Sequence, residues 1–130
     1  MKARRRPTRK AAVPSELPVL SDYYRLMIWS FERAESFPKV LRPSLTQRFL
    51  ALLLEGLETL LELRYTRERE PLFRATNLSF EKLRFLSRAL KDRRALSLPQ
   101  YEHFNRALNG VGQQLGGWRK ACARQAGGAP

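Results

Sequence analysis

The stretch RFLALLLEGLETLLELRY, residues 48–65, constrains the fold most. On a helix turning about 100° per residue, Phe49, Leu50, Leu52, Leu53, Leu54, Leu57, Leu60, Leu61 and Leu63 point almost all the way round. A helix with only one covered face cannot hold them, so neighbours must pack on several sides. The same excess appears in Tyr23, Tyr24, Met27, Ile28, Trp29 and Phe31, which are more than one apolar stripe needs. A homo-oligomer that buries a second face of both helices accounts for this; a generously apolar monomer is the alternative.

The rest of the chain also reads as helix. From Ser21, SDYYRLMIWSFERAESF carries Tyr23, Leu26, Met27, Ser30 and Ala34 at helical spacing and stops before Pro38. After the connector FPKVLRP, Ser44 is a capping residue for a second helix expected to run through LTQRFLALLLEGLETLLELRYTRERE to Pro71. Pro71 suits the first turn of a third helix, PLFRATNLSFEKLRFLSRALKDRRAL. Ser97 and Gln100 form a capping box before Tyr101, Phe104, Leu108, Val111 and Leu115 in the fourth. No strand alternation, hairpin dipeptide or internal repeat interrupts this pattern, and the connectors are short. The expected fold is all-α, an antiparallel up-and-down four-helix bundle spanning residues 21–123. Residues 1–20 are expected to be a disordered basic tail, and 124–130 a flexible one.

Charge narrows the partners. The 130 residues hold 25 Lys and Arg against 12 Asp and Glu, a net charge of +13, which points to a polyanion. Lys2, Arg4, Arg5, Arg6, Arg9 and Lys10 lie in the tail, either as a solvated leader or as an arm along phosphate backbones. In the third helix Arg74, Arg84, Arg88 and Lys91 fall within an arc of about 100°, away from Leu83, Leu86 and Leu90. That arc is expected to be almost free of acids and to contact phosphates or an acidic protein surface. Phe73 and Phe80 lie near it, placed to stack on unpaired bases or to be buried at a subunit interface.

Nothing points to catalysis or a cofactor. His103 is the only histidine, with Glu102 beside it rather than one turn away. Glu55 and Glu58 lack the Glu-x-x-His partners of a di-iron bundle, and the single cysteine, Cys122, has no partner for a disulfide or a thiolate metal site. The N-terminus lacks the apolar run of a secretory signal, and the stretch Phe49 to Leu54 is too short to span a bilayer, so a soluble, cytoplasmic protein without a membrane partner is expected.

The fourth helix contains Gly110, Gly112, Gly116 and Gly117, each costing about 1 kcal/mol relative to alanine inside a helix. Gly112 and Gly116 share a face, where a neighbouring helix can approach closely, and Gly117 with Trp118 can anchor the helix end; fraying is the other reading.

The order of motifs resembles a known family. YYRLMIWSFERAESFPK, LRPSLTQRFL, LRFLSRAL and LPQYEHFNRALNGVGQQLGGWRKA are similar to Avd, the accessory variability determinant of diversity-generating retroelements, over about residues 22–121. The surrounding superfamily includes four-helix proteins encoded by intervening sequences in large-subunit rRNA genes. The resemblance implies a homopentameric barrel without a catalytic site, acting with the retroelement's reverse transcriptase and template-repeat RNA in adenine-directed, error-prone cDNA synthesis. It implies partner binding by basic residues of the third helix, here Arg84 and Arg88; Lys91 joins them from the stripe alone. A ribosome- or rRNA-associated four-helix protein is the alternative function.

Overall fold

The computed structural model describes residues 16–128. It contains four helices, α1 (Glu16–Ala34), α2 (Gln47–Tyr65), α3 (Glu70–Asp92) and α4 (Leu98–Gly128), with no strand among the described residues. The principal contacts are α1 on α2, α2 on α3, α3 on α4 and α4 back on α1, the closed square of an up-and-down bundle.

The helix ends differ from the sequence expectation. α1 begins at Glu16, inside the stretch expected as a tail, because Val19 is fully buried and extends the core stripe backwards. Pro18 falls in the first turn, where its missing N–H leaves no hydrogen bond unmade. Ser44 does not cap α2. The chain passes through a 3-10 turn, Lys39–Leu41, and a π turn, Arg42–Thr46, while the Ser44 hydroxyl donates back to the Leu41 carbonyl. At its far end α2 stops at Tyr65, because Thr66 is extended and residues 66–69 reverse the chain before Pro71 takes its place in the first turn of α3.

α3 stops at Asp92, four residues short of the expected end, because Arg94 is left-handed with φ 64°. The Ala95 and Leu96 amides then both donate to the Leu90 carbonyl, and Leu96 folds under the bundle. Ser97 and Gln100 close the capping box reciprocally, the Gln100 side chain accepting from the Ser97 N–H and the Ser97 hydroxyl from the Gln100 N–H. α4 continues through its glycines and past residue 123 to Gly128.

Aromatic pairs tie the core together. Tyr23 stacks on Phe80 at 5.8 Å, Phe49 meets Phe104 at 5.2 Å, and Phe73 meets Trp118 edge-on at 5.5 Å. Tyr23 is fully buried, and burial pushes its phenol well above the usual range, so it keeps its proton and donates to the Leu53 carbonyl at 2.7 Å. Gly56 makes room for this contact. A Cβ there would lie 2.9 Å from Tyr23 Cζ and nearer still to the hydroxyl.

Because Tyr23 is held by its stack and cannot swing aside, Gly56→Ala is expected to lose about 1–3 kcal/mol to overpacking, more than alanine's gain in helix propensity. A lowered urea midpoint would show this. Arg94→Gly is expected to raise stability by about 1 kcal/mol, since glycine adopts the left-handed conformation without steric penalty. Its thermal midpoint should rise with no change in helical content.

Candidate nucleic-acid and partner interface

The excess charge is not spread evenly. Residues 16–69, which form α1, α2 and their connections, carry eight Lys and Arg and eight Asp and Glu; residues 70–128 carry eleven and four. The bundle therefore has an electrically balanced half and a strongly cationic half made of α3 and α4.

The seam between the cationic helices is laced by polar side chains. Arg84 donates from Nε and Nη2 to Asn109 Oδ1 at 3.3 and 3.1 Å, and from Nη1 to Glu81 Oε1 at 2.6 Å. Asn105 Nδ2 donates to Ser87 Oγ at 3.0 Å, and Arg119 grips Glu70 with Nε and Nη2. The Arg119 hydrogen bond holds the Glu70 carboxyl below the usual carboxylate range, against a smaller opposing effect of desolvation. The outer face of α4 adds Arg106, Lys120 and Arg124, with Glu102 as the helix's only acid.

The four cations expected on one arc of α3 do share that edge, but they are not equivalent. Arg84 is a half-buried strut between α3 and α4, and Lys91 lies over the Tyr101 ring at 5.0 Å with Asp92 at 3.4 Å. Arg74 and Arg88 are exposed. The arc is not free of acids: Glu81, one turn before Arg84, lies inside it and neutralises Arg84 directly. Phe73 and Phe80 are neither base-stacking platforms nor interface residues, because both are 1% exposed and packed in the subunit's own core. The tail residues Lys2, Arg4, Arg5, Arg6, Arg9 and Lys10 lie outside the described residues.

Gly110, Gly112, Gly116 and Gly117 of α4 do not serve close packing within the subunit. A Cβ at Gly110, Gly116 or Gly117 would meet nothing within 4 Å, and one at Gly112 only the end of Arg84 at 3.8 Å. Trp118 is buried, with the Arg69 guanidinium 5.6 Å from its ring. Arg69 also donates to Cys122 Sγ at 3.4 Å. Arg69 and Cys122 line a cavity of about 620 Å³ between the 66–69 turn and the end of α4, together with Arg67, Glu68, Glu70 and Arg119. The two stretches that build this end of mixed charge, RERE and WRKACAR, give no joint signal in the sequence, because they are far apart in the chain and meet only where α4 returns to the 66–69 turn.

His103 is exposed, its ring 4.7 Å from that of Trp29. Among the described residues no cluster of His, Cys, Asp and Glu could hold a metal ion, and no helix is long and apolar enough to cross a membrane.

The profile of the bAvd-like family matches residues 19–122, which is most of the chain and the whole bundle core. The chain belongs to the bAvd-like family. Membership agrees with the Avd resemblance of the four helix motifs, and it points to an accessory protein of a diversity-generating retroelement. No curated protein matches the sequence.

With open space around them, Gly116 and Gly117 are expected to accept alanine. The double variant Gly116→Ala, Gly117→Ala should gain about 1–2 kcal/mol from helix propensity, read as a higher urea midpoint.

Proposed function

We propose that this protein is a non-catalytic accessory subunit that brings a diversity-generating retroelement's reverse transcriptase together with its template RNA and cDNA. The uneven charge carries the reading. A cationic half of eleven Lys and Arg against four acids far exceeds what solubility requires, and it presents exposed guanidinium and ammonium groups to phosphates and carboxylates. Binding is centred on the α3–α4 side, with Arg88 and Lys91 supplied by α3 and Arg106 by α4, and with Arg84 linking the two helices through Asn109.

Self-association is part of the reading. Tyr24 and Ile28 of α1 are 52% and 38% exposed, and Leu54 and Leu61 of α2 are 44% and 41% exposed. This apolar ridge on the balanced half favours further copies of the chain over solvent, and the Avd resemblance makes a pentameric ring the expected assembly. Several cationic halves in one ring would engage a long polyanion together.

The exposed pair Arg88 and Arg106 gives a clean test, because removing Arg84 would also loosen α3 from α4. Arg88→Ala with Arg106→Ala is expected to weaken binding of the template RNA and of the reverse transcriptase. The slope of log affinity for RNA against log salt should become shallower by about one for each phosphate no longer neutralised. Helical circular dichroism should be unchanged. Undiminished binding of both partners by the double variant would overturn the site. If the protein isolated from its cells carried rRNA and ribosomal proteins in place of a reverse transcriptase, the function would be the ribosomal alternative.

A further inference from the structure

The seam between α1 and α4 holds a pocket of about 480 Å³. Buried Leu26 and Val111 form its floor, and Trp29 and His103 line it with ring centroids 4.7 Å apart and planes 44° from parallel. At that tilt the exposed imidazole covers the indole only in part. Arg33 lies over the same indole, 5.6 Å from its centre. Asp22 and Arg25 complete the lining and are paired at 3.3 Å, while Gln114 Nε2 of α4 donates to the second Asp22 oxygen at 2.7 Å.

Gly110 leaves the pocket open. It is part of the lining, yet a Cβ there would touch nothing within 4 Å, so packing within the subunit does not require a glycine at this position. The charge beside the pocket is even, unlike that of the α3–α4 side: the cations Arg25, Arg33 and Arg106 are matched by Asp22, Glu32 and Glu102. Attraction for phosphate therefore does not single out this seam. Its two rings, guanidinium, apolar floor and paired donor and acceptor suit a flat, uncharged ring with polar edges.

We infer that this pocket takes an unpaired nucleobase from a single strand whose phosphates are held by cations outside it. The inference rests on the nucleic-acid binding proposed above and goes beyond it by assigning a separate base site. An indole and a guanidinium both stack on the π-face that every base carries. Arg25 keeps further N–H groups, and Asp22 further lone pairs, for the edge of the base. Arg106 is exposed one turn beyond His103 on α4, where it can hold the adjoining phosphate and lead the strand toward the cationic α3–α4 side. A base inside a duplex has both faces stacked and its pairing edge occupied, so only an unpaired one can enter.

The test is titration of the full chain at low salt with four probes: a short oligouridylate, an abasic oligomer of the same length, the oligouridylate annealed to its complement, and uridine monophosphate. Affinity is read by calorimetry and the pocket by tryptophan fluorescence, since Trp118 is buried in the core and Trp29 lines the pocket. The oligouridylate is expected to quench emission saturably, and the abasic oligomer to bind roughly tenfold more weakly without quenching. Gly110→Leu, which fills the pocket and favours the helix, should bring the oligouridylate down to the abasic affinity and leave abasic binding unchanged. Trp29→Phe should remove the quench while keeping an aromatic ring in place. Equal affinity for the normal and abasic oligomers, or full oligouridylate affinity in Gly110→Leu, would overturn the base site and leave the phosphate contacts of the proposed function standing. Quenching by the duplex as strong as by the single strand would overturn recognition of an unpaired base. Uridine monophosphate that saturates the pocket as tightly as the oligomer would make a free nucleotide, and not a strand, the ligand. No binding of any oligonucleotide would overturn the nucleic-acid reading itself.

Discussion

The phenol of Tyr23, donating to the Leu53 carbonyl across the bare backbone of Gly56, sets the arrangement of the other helices. It joins α1 to α2 at a separation only glycine permits, and its ring stacks on Phe80 of α3. One buried side chain thus positions three helices. Its hydroxyl is satisfied inside the core, so burying it does not carry the cost of an unmade hydrogen bond. With α1 drawn close to α2, the inward leucines of α2 pack fully, and the residues beyond the seam, Leu54 and Leu61 with Tyr24 and Ile28, are left as an outer ridge.

The opposite seam is built differently. α3 and α4 are joined by the Arg84 to Asn109 and Asn105 to Ser87 hydrogen bonds and by the Arg119 to Glu70 pair, over a core that includes Phe73 against Trp118. Polar linkage uses some of the cationic charge within the subunit, as at Arg84, and leaves the rest, as at Arg88 and Arg106, facing outward. The two halves of the bundle accordingly differ in surface chemistry, one electrically balanced with exposed apolar side chains and the other strongly cationic, and the proposed function assigns them different tasks.

The open space around Gly110, Gly116 and Gly117 separates these glycines from Gly56, which the fold requires. All are helical and none has positive φ, so backbone conformation does not distinguish them. The difference lies in what faces the missing Cβ: a buried phenol in one case and empty space in the others. That contrast lay beyond the spacing of Gly112 and Gly116, which establishes a shared face but not a neighbour upon it.

Much of the architecture was legible in local pattern. The helix periodicity, Pro71 in the first turn of α3, the Ser97 and Gln100 capping box and the sign of the net charge depend on residues close in sequence, or on sums that ignore position. The order of helix motifs likewise carried the family, since it survives without knowledge of contacts. Helix ends set by distant partners were not legible: α1 reaches back to Glu16 because Val19 meets the core, and α3 ends early because Leu96 tucks under the bundle. Nor were the fates of particular side chains. A helical wheel assigns Phe73, Phe80, Arg84 and Arg88 to neighbouring positions on one helix, yet two are core, one is a strut and one is free. Which of these each becomes depends on where α1 and α4 lie against α3, and that placement arises only when all four helices bury their apolar faces together.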